Sequence, residues 1–110
     1  MSNQNIGTKC FYGCTHITSL QIPANVIYVE EQAFAECTAL EHVSFDGVLH
    51  IEKNAFYNCK MLKTVRFTDS CQTIEHHVFA HCPNLTIIAP ENSVAHRYAI
   101  DNGIAFQAAQ

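Results

Sequence analysis

The chain has 110 residues, of which 48% are hydrophobic and only 15% charged. This balance predicts one folded domain over residues 1–110 and excludes intrinsic disorder, which requires low hydrophobicity and high charge. The net charge of −4 and the pI of about 5.9 argue against a nucleic-acid partner, and no apolar run approaches the roughly 18 residues needed for membrane insertion.

A phenylalanine recurs four times along the chain, and a cysteine follows each copy three residues later. The pairs are Phe11–Cys14, Phe34–Cys37, Phe56–Cys59 and Phe79–Cys82. From position 11 to 34, 56 and 79 the steps are 23, 22 and 23 residues. Because a unit of this length cannot bury its apolar face alone, the period predicts a repeat solenoid in which successive units stack.

The repeat divides the chain into units at residues 6–28, 29–50, 51–73 and 74–90, the last of them shortened. An alternating apolar pair late in each unit is typical of a short half-buried strand. The pairs are Leu20 with Ile22, Val43 with Phe45, and Val65 with Phe67, and in the fourth unit Ile88 aligns with Leu20, Val43 and Val65. We expect these strands to form a short parallel sheet.

Turn-forming residues follow each strand, as in Pro23-Ala24-Asn25 and Asp46-Gly47. A second inward residue comes next, three positions before the residue that opens the following unit. These residues are Val26, Val48 and Cys71. The spacing predicts a second extended segment on the opposite side of the coil, and a short helical turn or irregular bend around each phenylalanine.

The end of the chain, residues 91–106, departs from the repeat and predicts a carboxy-terminal cap. Ser93 can serve as N-cap to a helix from about Val94 to Asn102, and Gly103 can end it. Ile104 and Phe106 then alternate as a final strand. We predict no equivalent cap at the amino end.

These residues resemble the BspA-type leucine-rich repeats, in which a small residue, Phe, Cys, Leu and a short strand recur about every 23 residues. The resemblance covers Ile6 to Pro90, and the segment from Ser93 to Phe106 is similar to the family's carboxy-terminal cap. It implies a right-handed leucine-rich-repeat coil, found in bacterial and some protist surface proteins that adhere to host proteins or to other cells. It implies no catalytic residues, because the family has no shared active site.

Six cysteines in a short chain are compatible with a disulfide framework, but the repeat offers another interpretation. Four of them occupy one core position, Cys10 aligns with Ala or Val, and Cys71 aligns with Val26 and Val48. We therefore predict six buried free thiols, with disulfides or a metal site as the alternatives.

Three of the seven histidines lie close together, and His77 and His81 are four residues apart, as two metal ligands on a helical turn would be. The positions of His76, His77 and His81 align with Glu31, Gln32 and Glu36 in the second unit. We predict a solvent-facing cluster with no metal and no cofactor. An enzyme or metal protein centred on these histidines is the third hypothesis below.

The outward positions of the predicted strands form an extended surface, the usual docking place on a repeat protein. The candidate ligand-binding residues are Ser19, Gln21, His42, Ser44, Thr64 and Arg66, and Ile87 and Ala89 are expected to continue them in the fourth unit. The expected ligand is a protein or a glycan.

Three functions follow from these observations. The first is a non-catalytic protein-interaction module, with adhesion of a bacterial surface protein to host or cell-surface ligands as its specific form. The second is a self-assembling structural fragment inside the cell, which forms a homo-oligomer through the uncovered amino end at Ile6, Phe11 and Ile17. The third is the enzyme or metal protein. The segment Met1 to Asn5 lacks the features of a signal peptide, so we expect a cell-surface or secreted location if the chain is part of a longer protein, and a cytoplasmic one otherwise.

Overall fold

A computed structural model describes residues 4–109, which coil through two parallel sheets. The elements in chain order are β1 (Gln4–Ile6), β2 (Ser19–Ile22), β3 (Val26–Val29), β4 (His42–Phe45), β5 (His50–Ile51), β6 (Thr64–Arg66), β7 (Thr73–Ile74), β8 (Thr86–Ala89), α1 (Val94–Asp101) and β9 (Ala105–Ala108). The large sheet has the order β2-β4-β6-β8-β9, and the small sheet has the order β1-β3-β5-β7. Each repeat thus contributes one strand to each sheet, which confirms the solenoid and its two extended segments per unit.

A turn of six residues around each phenylalanine leads from the small sheet to the large sheet. We name these segments the phenylalanine turns: residues 8–13, 31–36, 53–58 and 76–81. Two residues in each turn, flanking the phenylalanine at a distance of two positions, have φ between 56° and 73°. They are Lys9 and Gly13, Gln32 and Glu36, Asn54 and Asn58, and His77 and His81. A helical turn, one of the two forms expected from the sequence, is therefore wrong, because left-handed residues interrupt a right-handed helix.

The phenylalanine turns stack through their own hydrogen-bond ladder. The N–H of Phe11 donates to the carbonyl of Ala33 at 2.8 Å, and the N–H of Phe34 donates to the carbonyl of Ala55 at 2.8 Å. Alternate N–H groups bond within the turn instead, as Tyr12 does to Lys9 at 3.1 Å. The turns in the interior of the stack consequently satisfy most of their backbone groups without a helix or a strand.

The four phenylalanines stack into a column through the core. Their ring centroids are 5.1, 5.1 and 5.6 Å apart along the chain, with interplanar angles of 2°, 10° and 20°. Phe45 and Phe67 form a second pair with centroids 5.2 Å apart. Phe34 and Phe56 are almost fully buried, whereas Phe11 is 37% exposed because no turn within residues 4–109 covers its outer ring face.

The cysteine of each unit bonds to the neighbouring turn. The thiols of Cys37, Cys59 and Cys82 donate to the carbonyls of the preceding phenylalanines, Phe11, Phe34 and Phe56, at 3.2, 3.2 and 3.3 Å. All six cysteines are free thiols.

Burial of the thiols is confirmed for four cysteines and wrong for the other two. Cys37, Cys59, Cys71 and Cys82 are buried, but Cys14 is half-buried and Cys10 is exposed. Both exceptions lie in the first phenylalanine turn or directly after it, where no preceding turn covers them.

The fourth strand of the large sheet differs from its expected register by one residue. Val65 pairs with Ile87 and Arg66 pairs with Ile88, so Ile88 does not align with Val65. Ile87 and Ala89 therefore face the core and are fully buried, and their expected place on the outer face is wrong. The cause is a connection one residue shorter: Thr86 directly follows the core residue Leu85, whereas Lys63 separates Leu62 from Thr64.

The carboxy-terminal cap agrees with its prediction. The side chain of Ser93 accepts a hydrogen bond from the N–H of His96 at 3.1 Å, and Gly103 has φ of 65° after the helix. Tyr98 packs its ring against Phe79 with centroids 6.1 Å apart, closing the phenylalanine column. Strand β9 then extends the large sheet beside β8.

Candidate functional site

The outer face of the large sheet presents two rows of side chains in register across five strands. Residues paired across a parallel sheet project to the same side, so the pairing defines each row. The first row is Ser19, His42, Thr64, Thr86 and Ala105, and the second is Gln21, Ser44, Arg66, Ile88 and Gln107. All six sequence-predicted site residues therefore lie on one surface, which we name the sheet face.

Short polar side chains dominate the first row, and one contact orders its centre. The Nδ1 atom of His42 lies 2.7 Å from the hydroxyl oxygen of Thr64. This hydrogen bond links neighbouring strands and restrains the imidazole of His42, which remains exposed. A ring held in one orientation loses less side-chain entropy when a partner binds it.

The second row combines a cation with an apolar neighbour. Arg66 is exposed, and no carboxylate within residues 4–109 forms an ion pair with it. Ile88 lies beside it in the row and is only 9% exposed. An unpaired guanidinium next to an apolar surface is a combination common in protein interfaces, where arginine is enriched.

Charged side chains at the margins of the sheet face have polar partners. Lys63 and Glu41 form an ion pair at 3.3 Å just before their strands begin. The side-chain amide of Gln21 donates to Asp46 at 3.5 Å, just beyond the end of β4. Side chains of β2, β4, β6 and β8 surround a shallow depression of about 380 Å³, which includes His42, Arg66 and Ile88.

Four further residues of the sheet face escaped the sequence analysis: Thr86 and Ile88 on β8, and Ala105 and Gln107 on β9. Thr86 and Ile88 were missed because Ile87-Ile88-Ala89 is an uninterrupted apolar run, whose alternation can be read in either phase. The sequence did contain a signal for the correct register, because the connection between Leu85 and β8 is one residue shorter than the connection between Leu62 and β6. Ala105 and Gln107 were missed because β9 was predicted without a partner strand.

The histidine cluster does not have the geometry of two metal ligands on one turn of a helix. His77 and His81 flank Phe79 in a phenylalanine turn, each with φ of 61°, and both are exposed. The ring of His81 contacts the edge of Tyr57, with centroids 5.3 Å apart. Within residues 4–109, no group of three or more potential ligand side chains is placed to hold a metal ion.

Three of the four buried thiols, those of Cys37, Cys59 and Cys71, are poor nucleophiles because their pKa values are raised. Burial raises the pKa of Cys71 to about 12 and also raises the pKa of Cys37. The neighbouring Cys82 thiol and burial together raise the pKa of Cys59. These thiols therefore remain protonated near neutral pH and act as hydrogen-bond donors.

Short parallel strands in register, joined by stacked turns and closed by a helix and strand, define a leucine-rich-repeat solenoid. The sequence matches the family model described as "BspA type Leucine rich repeat region (6 copies)" over residues 2–102. The chain therefore belongs to the BspA-type leucine-rich-repeat family. No curated protein matches the sequence.

Solved bacterial proteins share the architecture. A leucine-rich repeat protein from Bacteroides ovatus ATCC 8483 is 28% identical with a TM-score of 0.78, and the match covers 96% of this chain and 28% of that one. A leucine rich cell surface protein from Faecalibacterium prausnitzii A2-165 is 19% identical with a TM-score of 0.63, covering 100% of this chain and 34% of that one. The T. pallidum Leucine Rich Repeat protein is 20% identical with a TM-score of 0.51, covering 80% and 52%.

This chain thus spans between about a quarter and a half of the length of these solved proteins. In the part of the chain that the structure describes, the single helix has eight residues and cannot cross a membrane.

Proposed function

We propose that the chain is a non-catalytic recognition module whose sheet face binds a protein or glycan on a cell surface. The observation that carries the proposal is the alignment of two outward rows across five strands of one sheet. Such a surface is rigid, because every side chain projects from a hydrogen-bonded strand. A partner therefore meets a preorganised array and loses little free energy to ordering it.

The composition of the sheet face supports recognition of a macromolecule. It combines a restrained imidazole, an unpaired arginine and an apolar side chain within a shallow depression. These groups provide directional polar contacts around a small apolar centre, the arrangement that concentrates binding energy in interfaces. A surface location is part of the proposal, and the description of the F. prausnitzii relative as a cell surface protein supports it.

The test begins by identifying a partner through the sheet face itself. A photo-crosslinking amino acid in place of Ser44, which pairs with Arg66 and leaves the His42–Thr64 hydrogen bond intact, would capture whatever docks on the sheet face on the surface of candidate host cells. The double variant His42→Glu/Arg66→Glu is then expected to lose most binding to the captured partner. Its thermal midpoint is expected to stay nearly unchanged, because exposed substitutions rarely cost more than about 0.5 kcal/mol.

The triple variant His76→Glu/His77→Gln/His81→Glu provides the control, because the second unit carries Glu, Gln and Glu at these positions. It is expected to bind like the parent. Loss of binding in this variant together with full binding by the sheet-face variant would place the function on the phenylalanine turns and refute the proposal.

Self-assembly is the second candidate function, and the open first coil favours it. Phe11 is 37% exposed and Tyr12 is 48% exposed. The carbonyls of Thr8, Cys10 and Tyr12 receive no N–H donor from residues 4–109, although the equivalent carbonyls of the second turn do. An apolar ring face bordered by unpaired backbone groups is a template for association.

A further inference from the structure

A cavity of about 470 Å³ separates the fourth phenylalanine turn from the carboxy-terminal cap. Its lining includes His77 and His81 from the turn, Leu85 after it, and Tyr98 and Ile104 from the cap. The cavity occupies the place that a fifth phenylalanine turn would fill if the repeat continued. The cap replaces that turn with a helix, which does not reproduce its backbone.

Backbone N–H groups of the fourth turn point toward this space. In the first three turns, the residues equivalent to His77 and His81 donate their N–H groups to carbonyls of the next turn, as Asn54 does to His76 at 3.3 Å and Asn58 does to Ala80 at 2.8 Å. The N–H groups of His77 and His81 have no acceptor within residues 4–109. Their left-handed backbone holds both N–H groups in the same direction as in the earlier turns.

The cap supplies only part of what the missing turn would provide. The ring of Tyr98 packs against Phe79 with centroids 6.1 Å apart, and its hydroxyl lies near the backbone of Val78 and Phe79. The sites beside His77 and His81 receive no equivalent group. Two backbone donors thus border the cavity with no acceptor from the described part of the chain.

The side chains that line the cavity favour a ligand that has both a hydrogen-bond acceptor and an apolar part. No Asp, Glu, Lys or Arg lines the cavity, and its polar side chains include two imidazoles, a phenol and the amide of Asn102. Leu85 and Ile104 line it as well and provide apolar contact. No carboxylate therefore lies in the lining to repel an anion directly.

We propose that this cavity binds a small monocarboxylate with an apolar body. The carboxylate oxygens take the positions of the absent carbonyls at the N–H groups of His77 and His81, and the imidazoles provide further donors. The apolar body packs against Leu85 and Ile104. The carboxylate can belong to a free small acid or to the carboxyl terminus of a peptide, because both present the same group.

Amide chemical shifts of the uniformly ¹⁵N-labelled chain, titrated with four probes at constant pH, test this proposal. Sodium butyrate is expected to shift the amide signals of His77 and His81 saturably, with a Kd on the order of 1 mM for so small a ligand. The neutral 1-butanol is expected to bind at least about tenfold more weakly, because it lacks the anionic acceptor. N-acetyl-leucine and N-acetyl-leucine amide distinguish a peptide terminus from a free small acid. If N-acetyl-leucine binds more tightly than butyrate and its amide does not, the ligand is a peptide carboxyl terminus.

Variants that copy residues from the chain's own repeats complete the test. Ala80→Tyr copies Tyr57 of the preceding turn and is expected to fill the cavity and abolish the butyrate shifts. His77→Asn/His81→Asn copies Asn54 and Asn58, preserves the left-handed backbone and is expected to weaken binding about fivefold or more. His76→Lys, which copies Lys53 and lies outside the cavity lining, is the control and is expected to bind like the parent.

The proposal is overturned if 1-butanol and butyrate shift the same amides with equal affinity, since the cavity would then be an apolar space only. It is also overturned if butyrate leaves the His77 and His81 amides unshifted, or if Ala80→Tyr, which fills the cavity, responds like the parent. These results are independent of the sheet face, so they do not affect the proposed recognition function.

Discussion

At the residue scale, the repeated cysteine has a specific structural role. A thiol is small enough for the crowded centre of the coil and also donates a hydrogen bond back to the preceding phenylalanine turn. Alanine would fit the space but would leave the phenylalanine carbonyl with one partner fewer, and serine would add a more polar hydroxyl to an apolar site. The thiols of Cys37, Cys59 and Cys82 therefore join neighbouring coils as well as fill the core.

Thiol reactivity is expected to follow position along the solenoid. In the folded protein, Cys10 should react fastest with a thiol reagent and Cys14 more slowly. The four buried cysteines should be strongly protected, because they are shielded and because a raised pKa reduces the reactive thiolate at Cys37, Cys59 and Cys71. Mass spectrometry after timed labelling would assign each site.

Denaturation without reductant should then make all six groups reactive. Recovery of two or fewer would demonstrate disulfides and contradict the free-thiol structure. Rapid labelling of Cys59 in the folded state would contradict the burial of this cysteine in the core.

At the element scale, the phenylalanine turn determines the shape of each coil. Two left-handed residues bracket the phenylalanine, so alternate N–H groups point to the next turn while the others close bonds within their own turn. Glycine occupies only one of these eight positions, Gly13. The remaining seven residues have side chains, for which this conformation costs up to about 1–2 kcal/mol each and least for the asparagines Asn54 and Asn58, and stacking of the turns must offset this cost.

Glycine substitution at Gln32 tests this strain. Gln32 has φ of 58°, so Gln32→Gly is expected to leave the free energy of unfolding unchanged or to raise it by up to about 1 kcal/mol, since the relief of strain exceeds the added flexibility of the unfolded chain. Gln32→Val is expected to lower it by about 1–2 kcal/mol. Urea unfolding would measure both changes.

Gln72→Gly is the matched control, because Gln72 is exposed and is not among the residues with positive φ. The free energy of unfolding of this variant is expected to be lower than that of the parent by about 0.5–1 kcal/mol. Equal destabilisation by glycine at both positions would contradict the strain at Gln32.

At the scale of the whole molecule, the two ends of the described solenoid differ. The carboxy-terminal end is covered by α1 and by Tyr98, whereas Phe11 and the first turn are open. Among residues 4–24 of this open coil, Lys9 is the only lysine, arginine, aspartate or glutamate, so little charge repulsion opposes contact with a second copy.

Association through this open end is expected at micromolar concentration, where light scattering should give a dimer or a larger species. Phe11→Asp is expected to return the chain to a monomer, because it places a charge on the apolar contact surface. Ile100→Asp introduces the same charge at a 66% exposed position on α1 and should leave the mass unchanged.

A parent protein that remains monomeric throughout this concentration range would refute self-assembly through the first coil. Loss of association in the Ile100→Asp variant alone would assign the contact to the cap. Either result would leave the proposed function of the sheet face intact.

The sequence was sufficient to predict the period, the strands and the cap, because each depends on a local pattern. Apolar alternation at Leu20 and Ile22 requires a half-buried strand wherever it occurs, and Ser93 and Gly103 mark the ends of a helix without reference to other segments. Six residues of the sheet face followed directly from the same alternation. Their grouping on one surface needed only the assumption that the units stack.

The tertiary structure determined the features that depend on contacts between residues distant in the sequence, namely strand register, burial and hydrogen-bond partners. The register of β8 followed from its pairing with β6, which buries Ile87 and places Ile88 beside Arg66. The exposure of Cys10 and Phe11 arose from the absence of a covering coil in the described structure, although the repeat pattern at these residues is the same as in buried units. The unpartnered N–H groups of His77 and His81 likewise have the local conformation of earlier turns and differ only in their neighbours. A repeating sequence therefore determines what each coil is, whereas burial and hydrogen-bond partners at its ends are set by contacts between coils, which a local pattern does not encode.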